Sequence, residues 1–339
     1  MSNHEVRAAM KFPGEDELPP DDASAVTGLV PASGWPEGFR SGFASVVGRP
    51  NAGKSTLTNA LVGQKVAITS GRPQTTRHVV RGIVHRDDGQ LILVDTPGLH
   101  RPRTLLGQRL NDLVKETLSE VDVVVFCLPA DQKVGPGDRH IARELAQQRT
   151  PVVAVATKAD TVSRERLAQH LLAVDQMEPK LDLADIVPVS AVTGEQVDVL
   201  TDVLLGHLPP GPPLYPDGEL TDEPEQVMIA ELIREAALEG VREELPHSLA
   251  VLVEEIVERP REPDDPRPPM LDVHVNVYVE RPSQKAIVIG KGGQRLRDVG
   301  TRSRKAIEAL LGTRVYLDLH VRVAKDWQRD PKLLGRLGF

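Results

Sequence analysis

The sequence predicts an α/β domain with a mostly parallel sheet and helices on both faces, followed by a smaller α+β domain. Between residues 41 and 207, short apolar runs alternate with helical patterns, as they do in parallel sheets. Residues 208–216, LPPGPPLYP, interrupt helix and strand because prolines fix φ and remove donors. The net charge changes from −11 over residues 217–270 to +7 over residues 271–339. We therefore expect two domains that meet near the proline-rich segment.

The predicted elements of the first domain follow in order. Its strands are FASVV, LILVD, VDVVVF, PVVAVAT and IVPVS. A further strand, HVVRGIVH, precedes LILVD across Asp87, Asp88 and Gly89, which is a hairpin signal. One antiparallel pair at the sheet edge is therefore expected. In the second domain the predicted order is helix, strand, strand, helix, helix, strand, from VMIAELIREAALEGVREEL to TRVYLDLHVRV.

Composition limits the class of protein. Of 339 residues, 40% are hydrophobic and 27% are charged, as in ordinary globular proteins, and the net charge is −8. The chain has no run of about 18 apolar residues and its N-terminus lacks the order of a signal peptide, so we expect a cytoplasmic protein. The single cysteine, Cys127, excludes an internal disulfide and a zinc site built from cysteines. Its apolar neighbours predict a buried strand residue.

Charge and proline content divide the chain into four predicted segments. Residues 1–40 carry three basic and seven acidic side chains, which predicts a disordered acidic leader. Residues 41–207 are the α/β domain, residues 208–224 a proline-rich linker, and residues 225–339 the α+β domain with a C-terminal tail. The basic C-terminal module lies within an acidic protein, so the overall charge does not exclude a nucleic-acid partner.

A phosphate-binding loop follows the first strand. The pattern G-x-x-x-x-G-K-S stands between FASVV and a helical segment, which is the context that this loop requires. Backbone N–H groups would converge on phosphate oxygens, Lys54 would reach the β- and γ-phosphates, and the Ser55 hydroxyl would bind Mg²⁺. The candidate phosphate ligands are Gly48, Arg49, Pro50, Asn51, Ala52, Gly53, Lys54, Ser55 and Thr56.

A second cluster, Asp95, Thr96, Pro97 and Gly98, closes the strand LILVD. Ligands of open α/β sheets bind at the carboxyl ends of strands, so this cluster is expected to lie beside the phosphates. The Asp95 carboxylate would hold Mg²⁺, directly or through water, and the Gly98 amide would approach the γ-phosphate.

A third cluster, Thr157, Lys158, Ala159 and Asp160, follows PVVAVAT. The Asp160 carboxylate could accept two N–H donors from the guanine edge. Adenine lacks the exocyclic amine at that position and would leave the carboxylate unpaired, so GTP is expected rather than ATP. Lys158 can lie over the base, and the backbone at Ser190 and Ala191, after IVPVS, could contact it from the other side.

In the C-terminal module, residues 290–293 form a G-x-x-G turn between two predicted helices. Such a turn lets the backbone approach a nucleic-acid backbone, and an adjacent groove takes splayed bases. The element order and the basic charge match a bacterial-type (type II) KH domain. The candidate RNA-binding residues are Gly290, Lys291, Gly292, Gly293, Arg295 and Arg297, with Arg302 as a further phosphate contact.

In their order, the four nucleotide motifs resemble those of the translation-factor-related GTPases. The segment from Gln74 to His78 and the run from Asp95 to His100 are similar to the Era family of bacterial GTPases. The resemblance implies a Mg²⁺-dependent GTPase in which Thr75 and Thr76 belong to switch I, with Thr76 as a further ligand of Mg²⁺. It implies that the segment from Asp95 to about Thr104 is switch II. It also implies that the KH domain binds the 3′ region of 16S rRNA and that the protein assists 30S assembly. We expect a monomer.

Three positions qualify the resemblance. Leu99 occupies the place of a water-orienting glutamine, so intrinsic hydrolysis should be slow. Relatives with this replacement often recruit K⁺ through an asparagine that Asn51 matches, which makes K⁺ a candidate cofactor. The family usually has Asn at position 157, and Thr157 should weaken nucleotide affinity while Asp160 preserves the choice of guanine.

Two other functions remain open from the sequence. The chain could be an RNA chaperone that keeps GTP as a structural ligand. It could also be a signalling GTPase whose basic helix lies on an anionic membrane surface, with peripheral contact at the inner face of the cell membrane.

Overall fold

A computed structural model describes residues 34–69, 80–97, 104–239, 248–260 and 269–337. The chain divides into two compact units, Met1–Glu37 and Gly38–Phe339. Of the first unit, only residues 34–37 are described, so most of the predicted leader lies outside the described residues.

The first sheet has six strands in the order β2-β3-β1-β4-β5-β6. All neighbours are parallel except β2 and β3, which form the predicted antiparallel pair at the edge, across the turn of Asp87 and Asp88. The strands are Arg40–Gly48 (β1), Val80–Arg86 (β2), Gly89–Asp95 (β3), Val123–Pro129 (β4), Val152–Thr157 (β5) and Leu183–Pro188 (β6).

Helices cover both faces of this sheet, which confirms the predicted fold class. The helices are Lys54–Val62 (α1), Leu105–Glu120 (α2), Pro136–Leu145 (α3), Arg164–Asp175 (α4) and Val197–His207 (α5). One apolar core joins α1 and α5 to the sheet, and another joins α2, α3 and α4 to the opposite face. Cys127 is fully buried in β4, as expected, and burial raises its pKa to about 12, which makes it an inert thiol.

Side-chain caps fix where two of these helices begin. The Thr104 hydroxyl accepts a hydrogen bond from the N–H of Gly107 at 3.1 Å, and the Ser163 hydroxyl accepts one from the N–H of Arg166 at 3.3 Å. These caps satisfy N–H groups that have no acceptor within the helix. The start of α2 is thereby set at Leu105, in the part of the chain that follows the cluster beginning at Asp95.

The proline-rich segment lies along the edge of the first sheet. Between α5 and the next helix it forms no helix or strand, as its prolines predict. The edge-strand N–H of Ile83 donates to the carbonyl of Leu220 at 2.9 Å, and the Gln90 side chain accepts from the N–H groups of Leu214 and Tyr215 at 2.6 and 2.9 Å. The segment therefore covers the open edge of β2, which would otherwise be available for strand pairing.

The second domain is built on a three-stranded sheet. Its elements are Glu225–Leu238 (α6), Ala250–Glu258 (β7), Met270–Val279 (β8), Pro282–Ile289 (α7), Gln294–Leu311 (α8), Arg314–Val323 (β9) and Pro331–Arg336 (α9). In the order β7-β8-β9, the first pair is antiparallel and the second parallel. The predicted element order is confirmed. The first helix, expected to extend through residue 245, ends at Leu238, and residues 240–247 lie outside the described part.

An apolar cluster joins the two domains within this unit. Leu106 and Leu110 of α2 pack with Trp327, Leu334 and neighbouring apolar side chains of the C-terminal domain. The Trp327 indole is fully buried and its N–H donates to the carbonyl of Ser248 at 2.9 Å. The C-terminal tail therefore packs against the helix that follows the second nucleotide motif.

Candidate functional site

The phosphate-binding loop surrounds one buried ammonium group. Strand β1 ends at Gly48 and helix α1 begins at Lys54, whose Nζ donates to the carbonyl oxygens of Gly48 and Arg49, each at 3.2 Å. Burial lowers the pKa of Lys54, and the nearby Asp95 carboxylate counteracts that lowering. The loop thus holds the Lys54 ammonium where a bound phosphate would replace weak carbonyl partners with strong ones.

Two glycines make the loop this tight. A Cβ on Gly48 would lie 2.8 Å from the carbonyl oxygen of Cys127, so β1 and β4 leave no room for a side chain there. Gly53 stands at the N-cap of α1 with φ of 88°, a left-handed conformation that glycine adopts without strain. The first N–H groups of α1 then face the loop, where a helix N-terminus favours an anion.

Contacts from outside the loop hold it on both sides. The Arg49 Nε donates to Asp138 of α3 at 2.6 Å, and the second oxygen of this fully buried carboxylate accepts from the N–H of Gly135 at 2.8 Å. On the other side, the Thr157 hydroxyl donates to the carbonyl of Ala52 at 2.6 Å. Arg49 is therefore tied to α3, and Thr157 keeps a tie to the phosphate loop despite replacing Asn.

The second motif lies at the same sheet edge. The Asp95 carboxylate is fully buried where β3 ends, and β3 pairs with β1 so that Asp95 is opposite Val46. The hydroxyl of Thr96 donates to the carbonyl of Val46 at 2.9 Å, which fixes the end of β3. A carboxylate and the Ser55 hydroxyl are oxygen ligands of the kind that Mg²⁺ prefers, so the described residues fit this ion. Thr76, Gly98 and Leu99 lie outside the described residues.

The third and fourth motifs meet beyond β5 and β6. Lys158 adopts a left-handed conformation with φ of 58°, and the next N–H, of Ala159, donates to the carbonyl of Val189 at 3.2 Å. This bond places the turn that carries Asp160 beside Ser190, as a site for one base requires. The Asp160 side chain is exposed, whereas Ser190 is fully buried and its hydroxyl accepts from the N–H of Thr193 at 3.2 Å.

The G-x-x-G turn of the second domain is open to solvent. It is a single turn of 3-10 helix, Lys291–Gly293, between α7 and α8, and the side chain of Lys291 is exposed. Gly292 has φ of 59°, and a Cβ there would meet no atom within 4 Å. The backbone of this turn is therefore accessible to a nucleic-acid chain.

The arginines predicted beside this turn are partly engaged within the protein. Arg295 donates to the carbonyls of Ala237 and Glu239, at 3.1 and 2.9 Å, where α6 ends. Arg297 donates to the carbonyl of Gly292 at 2.6 Å. Arg302 donates to the carbonyl of Ala236 at 3.3 Å and forms an ion pair with Glu239. Arg295 and Arg302 therefore cap the C-terminal carbonyls of α6, a position that suits cations, and Lys291 is the cation that extends from the turn.

Family models match both domains of the chain. A model of the 50S ribosome-binding GTPase family matches residues 43–158, and a KH-domain model matches residues 244–328. The GTPase Era of Streptomyces coelicolor is 69% identical over 303 residues, which cover 88% of this chain and 95% of that protein. The GTPase Era of Mycolicibacterium smegmatis is 67% identical over 304 residues, covering 89% and 99%. The chain belongs to the Era family of GTPases.

Solved structures support this family assignment. An Era structure with MgGDPNP and nucleotides 1506–1542 of 16S ribosomal RNA has a TM-score of 0.82 and 37% identity to this chain, covering 88% of it and 99% of the other. A point variant of Aquifex aeolicus Era bound to GDP·AlF4⁻ gives the same values. An Era-family GTPase is a GTP-hydrolysing enzyme that joins a P-loop domain to a KH domain, as the motifs predicted. Within the described part of the chain, no helix is long and apolar enough to cross a membrane.

The sequence did not predict the role of two carboxylates in this Era-family site. Asp131 accepts from the Lys158 ammonium at 3.2 Å, and Asp138 accepts from Arg49. Neither belongs to a nucleotide-binding motif, and each lies far along the chain from its partner. A lone acid just after a strand or in the first turn of a helix is most often a turn former or a cap, so only the fold shows that they hold the nucleotide motifs in place.

Proposed function

We propose that this Era-family GTPase binds the 3′ region of 16S rRNA through its KH domain during assembly of the 30S subunit. The observation that carries the proposal is the exposed turn at residues 290–293, joined in one chain to a complete phosphate-binding loop. A relative with this architecture binds that rRNA segment together with MgGDPNP. An rRNA partner supports a cytoplasmic location for this activity.

The nucleotide site would act by positioning and electrostatics. Lys54 and the first N–H groups of α1 would hold the phosphates, and Ser55 and Asp95 would hold Mg²⁺. When bound, Mg²⁺ would supply positive charge against the developing negative charge of the β- and γ-phosphates. The Asp160 carboxylate would select guanine by accepting from its two N–H groups. We expect Asp160→Ala to abolish the preference for GDP over ADP in a competition assay, and an unchanged preference would remove this role.

Hydrolysis is expected to be slow and to respond to a monovalent cation. Leu99 has no group that can orient water, and Asn51 lies in the phosphate-binding loop with φ of 63°. A K⁺ ion held by Asn51 would supply the charge that an arginine finger supplies in other GTPases. Turnover should be faster in potassium than in sodium buffer at equal ionic strength, and equal rates would remove the K⁺ site.

The two domains would communicate through α2. In the GTP state, Thr76 and Gly98 would contact the γ-phosphate and order the switches, and hydrolysis would release them. Helix α2 begins at Leu105, directly after switch II, and its apolar side packs against Trp327 of the C-terminal domain. A change at the γ-phosphate would therefore reach the KH domain through α2 and this apolar cluster.

The experiment is a binding titration with an RNA that carries the 3′ end of 16S rRNA. Protein loaded with a non-hydrolysable GTP analogue should bind it more tightly than protein loaded with GDP, and Gly293→Asp should lose the binding in both states. Equal RNA affinity in both nucleotide states would contradict the proposal that the bound nucleotide controls RNA binding. Single-turnover hydrolysis that is silent with and without this RNA would instead favour an RNA chaperone that keeps GTP as a structural ligand.

Peripheral membrane contact is a separate possibility, favoured by the exposed cations Arg304 and Lys305 on α8. Flotation with anionic liposomes tests it. If competing rRNA releases the protein from the liposomes, the basic helix serves the RNA; if it does not, the membrane is a partner in its own right.

A further inference from the structure

A cavity of about 640 Å³ lies apart from the nucleotide motifs, beyond the carboxyl end of β4 and between α3 and α4. Its size is that of a pocket for a small molecule. Val134, Ala173 and the buried side chain of Met177 form apolar parts of its wall. None of these residues belongs to a phosphate, Mg²⁺ or guanine motif, so the nucleotide does not account for the cavity.

The wall of this cavity is positively charged. Lys133, Arg139 and Arg166 line it, against one acidic residue, Glu178. Among the residues that the structure describes, Lys133 and Arg139 form no ion pair, and Arg166 donates to the neutral carbonyl oxygen of Asp131 at 2.9 Å. Three cations that are not neutralised by carboxylates favour an anionic ligand, and guanidinium groups suit a phosphate in particular.

A largely buried imidazole adds a hydrogen-bond acceptor to the wall. His170 lines the cavity and is 7% exposed. Its Nε2 lies 3.3 Å from the carbonyl oxygen of Leu128, so this nitrogen carries a proton and donates it. Burial lowers the pKa of His170, which favours the neutral ring, in which Nδ1 is an acceptor. Within the described ranges Nδ1 has no hydrogen-bond partner, and a hydroxyl or N–H group of a ligand would satisfy it.

Residues next to the cavity lining also contact two segments of the nucleotide site. Asp131, whose carbonyl accepts from Arg166, also accepts from the Lys158 ammonium through its carboxylate. Asp138, which precedes Arg139 in α3, accepts from Arg49 of the phosphate-binding loop. A ligand that orders these walls would therefore restrain two nucleotide-binding segments.

We propose that this cavity binds a small organic phosphate bearing a hydroxyl or N–H donor, and that its occupancy slows nucleotide release. The phosphate contacts Arg139, Arg166 and Lys133, and the donor group contacts His170. The site is distinct from the phosphate-binding loop, and its ligand acts as an effector of the GTPase rather than as a substrate.

The test is a calorimetric titration of the full chain, saturated with GDP and Mg²⁺ so that the phosphate-binding loop is occupied. Ribose 5-phosphate is the probe, with ribose and inorganic phosphate as its separated parts. Ribose 5-phosphate should bind saturably at millimolar concentration or below, and more tightly than either part. Arg139→Ala should weaken it about tenfold or more, the typical loss for a hydrogen bond to a charged group. The matched control is Arg143→Ala, an exposed arginine one turn further along α3 that does not line the cavity.

A second readout is the rate at which a fluorescent GDP analogue leaves the protein. The probe should slow GDP release at least about twofold in the parent chain and in Arg143→Ala, but not in Arg139→Ala. A variant that binds the probe weakly must also lose the effect of the probe on GDP release. Three outcomes would each contradict the proposed site. They are the absence of saturable binding, ribose binding as tightly as ribose 5-phosphate, and equal weakening of probe binding by both arginine variants. If Arg139→Ala leaves the probe titration unchanged and weakens rRNA binding instead, the cations are an RNA surface and the proposal is wrong.

Discussion

The phosphate-binding loop and the turn at residues 290–293 are both glycine turns that lead into a helix and carry a lysine. They differ in exposure. Lys54 is 7% exposed and surrounded by carbonyls, whereas the side chain of Lys291 extends into solvent. A Cβ on Gly48 would collide with β4, whereas one on Gly292 would meet open space. The first turn is shaped by the fold around it and the second by its own glycines.

The anchoring of the two turns explains this difference. Arg49 and Ala52 of the phosphate-binding loop are held by α3 and by Thr157, so the loop is fixed before any ligand arrives. The turn at residues 290–293 is tied mainly to its own helix, through Arg297. A fixed loop loses little freedom on binding and recognises one polyphosphate shape. An open turn accommodates a flexible RNA backbone, and its affinity comes largely from charge.

We expect the largest effect on nucleotide affinity from removing Lys54, the buried cation of the phosphate-binding loop. Lys54→Ala should weaken GDP binding by about 100-fold or more, because it removes the charged donor from a buried site, at about 3 kcal/mol. Fluorescence titration with a labelled GDP measures it. RNA affinity of the nucleotide-free protein should stay unchanged, and Lys115→Ala, an exposed lysine on α2, is the control. If Lys54→Ala binds GDP like the parent chain, the buried ammonium is not a phosphate ligand.

The open turn should respond to charge rather than to shape. Gly292→Asp places a carboxylate where RNA phosphates approach, and we expect rRNA affinity to fall about tenfold. The matched control is Gly292→Asn, which has the same size and tolerates the same left-handed backbone. It should bind RNA nearly as well as the parent chain. Equal losses in both variants would mean that the turn is as tightly shaped as the phosphate-binding loop.

Much of the structure around these two turns could be predicted from the sequence, because short local patterns specify it. The spacing from Gly48 to Ser55 specifies the phosphate-binding loop and its place after a strand, and alternating apolar runs specify the sheet. Asp87 and Asp88 predicted the antiparallel edge pair, and the element order predicted the KH domain. In each case the signal lies within a few neighbouring residues.

The anchors could not be predicted because they join distant segments. Asp138 holds Arg49 across 89 positions, and Thr157 holds Ala52 across 105. Arg295 is a further example: its place beside the G-x-x-G turn predicts an RNA contact, and the sequence does not indicate that it also donates to the carbonyls of Ala237 and Glu239, 58 and 56 positions away. A sequence shows which side chains carry charge, and the fold decides which of them are already engaged.

A smaller effect should follow from loosening one anchor of the phosphate-binding loop. Thr157→Val keeps the shape but removes the hydroxyl that bonds to the carbonyl of Ala52, which costs about 1 kcal/mol, or about fivefold in GDP affinity. The preference for GDP over ADP should not change, because Asp160 supplies it. Competition titrations with both nucleotides measure the two quantities. A changed preference would show that Thr157 contacts the base directly.

The smallest effect should come from replacing Arg297, whose hydrogen bond to Gly292 holds the turn at residues 290–293. Arg297 donates to the carbonyl of Gly292 and is otherwise exposed, so Arg297→Gln keeps a donor while removing one positive charge. We expect RNA affinity to fall only about two- to threefold at moderate salt, with a salt dependence reduced by about one phosphate contact or less. GDP affinity should stay constant. Binding measured over a range of KCl concentrations separates the two roles: a weaker affinity with an unchanged salt slope means that Arg297 shapes the turn, and a reduced slope means that it also contacts a phosphate. A loss as large as that of Gly292→Asp would show that the open turn depends on its anchor as strongly as the phosphate-binding loop does, and the contrast between the two turns would then fail.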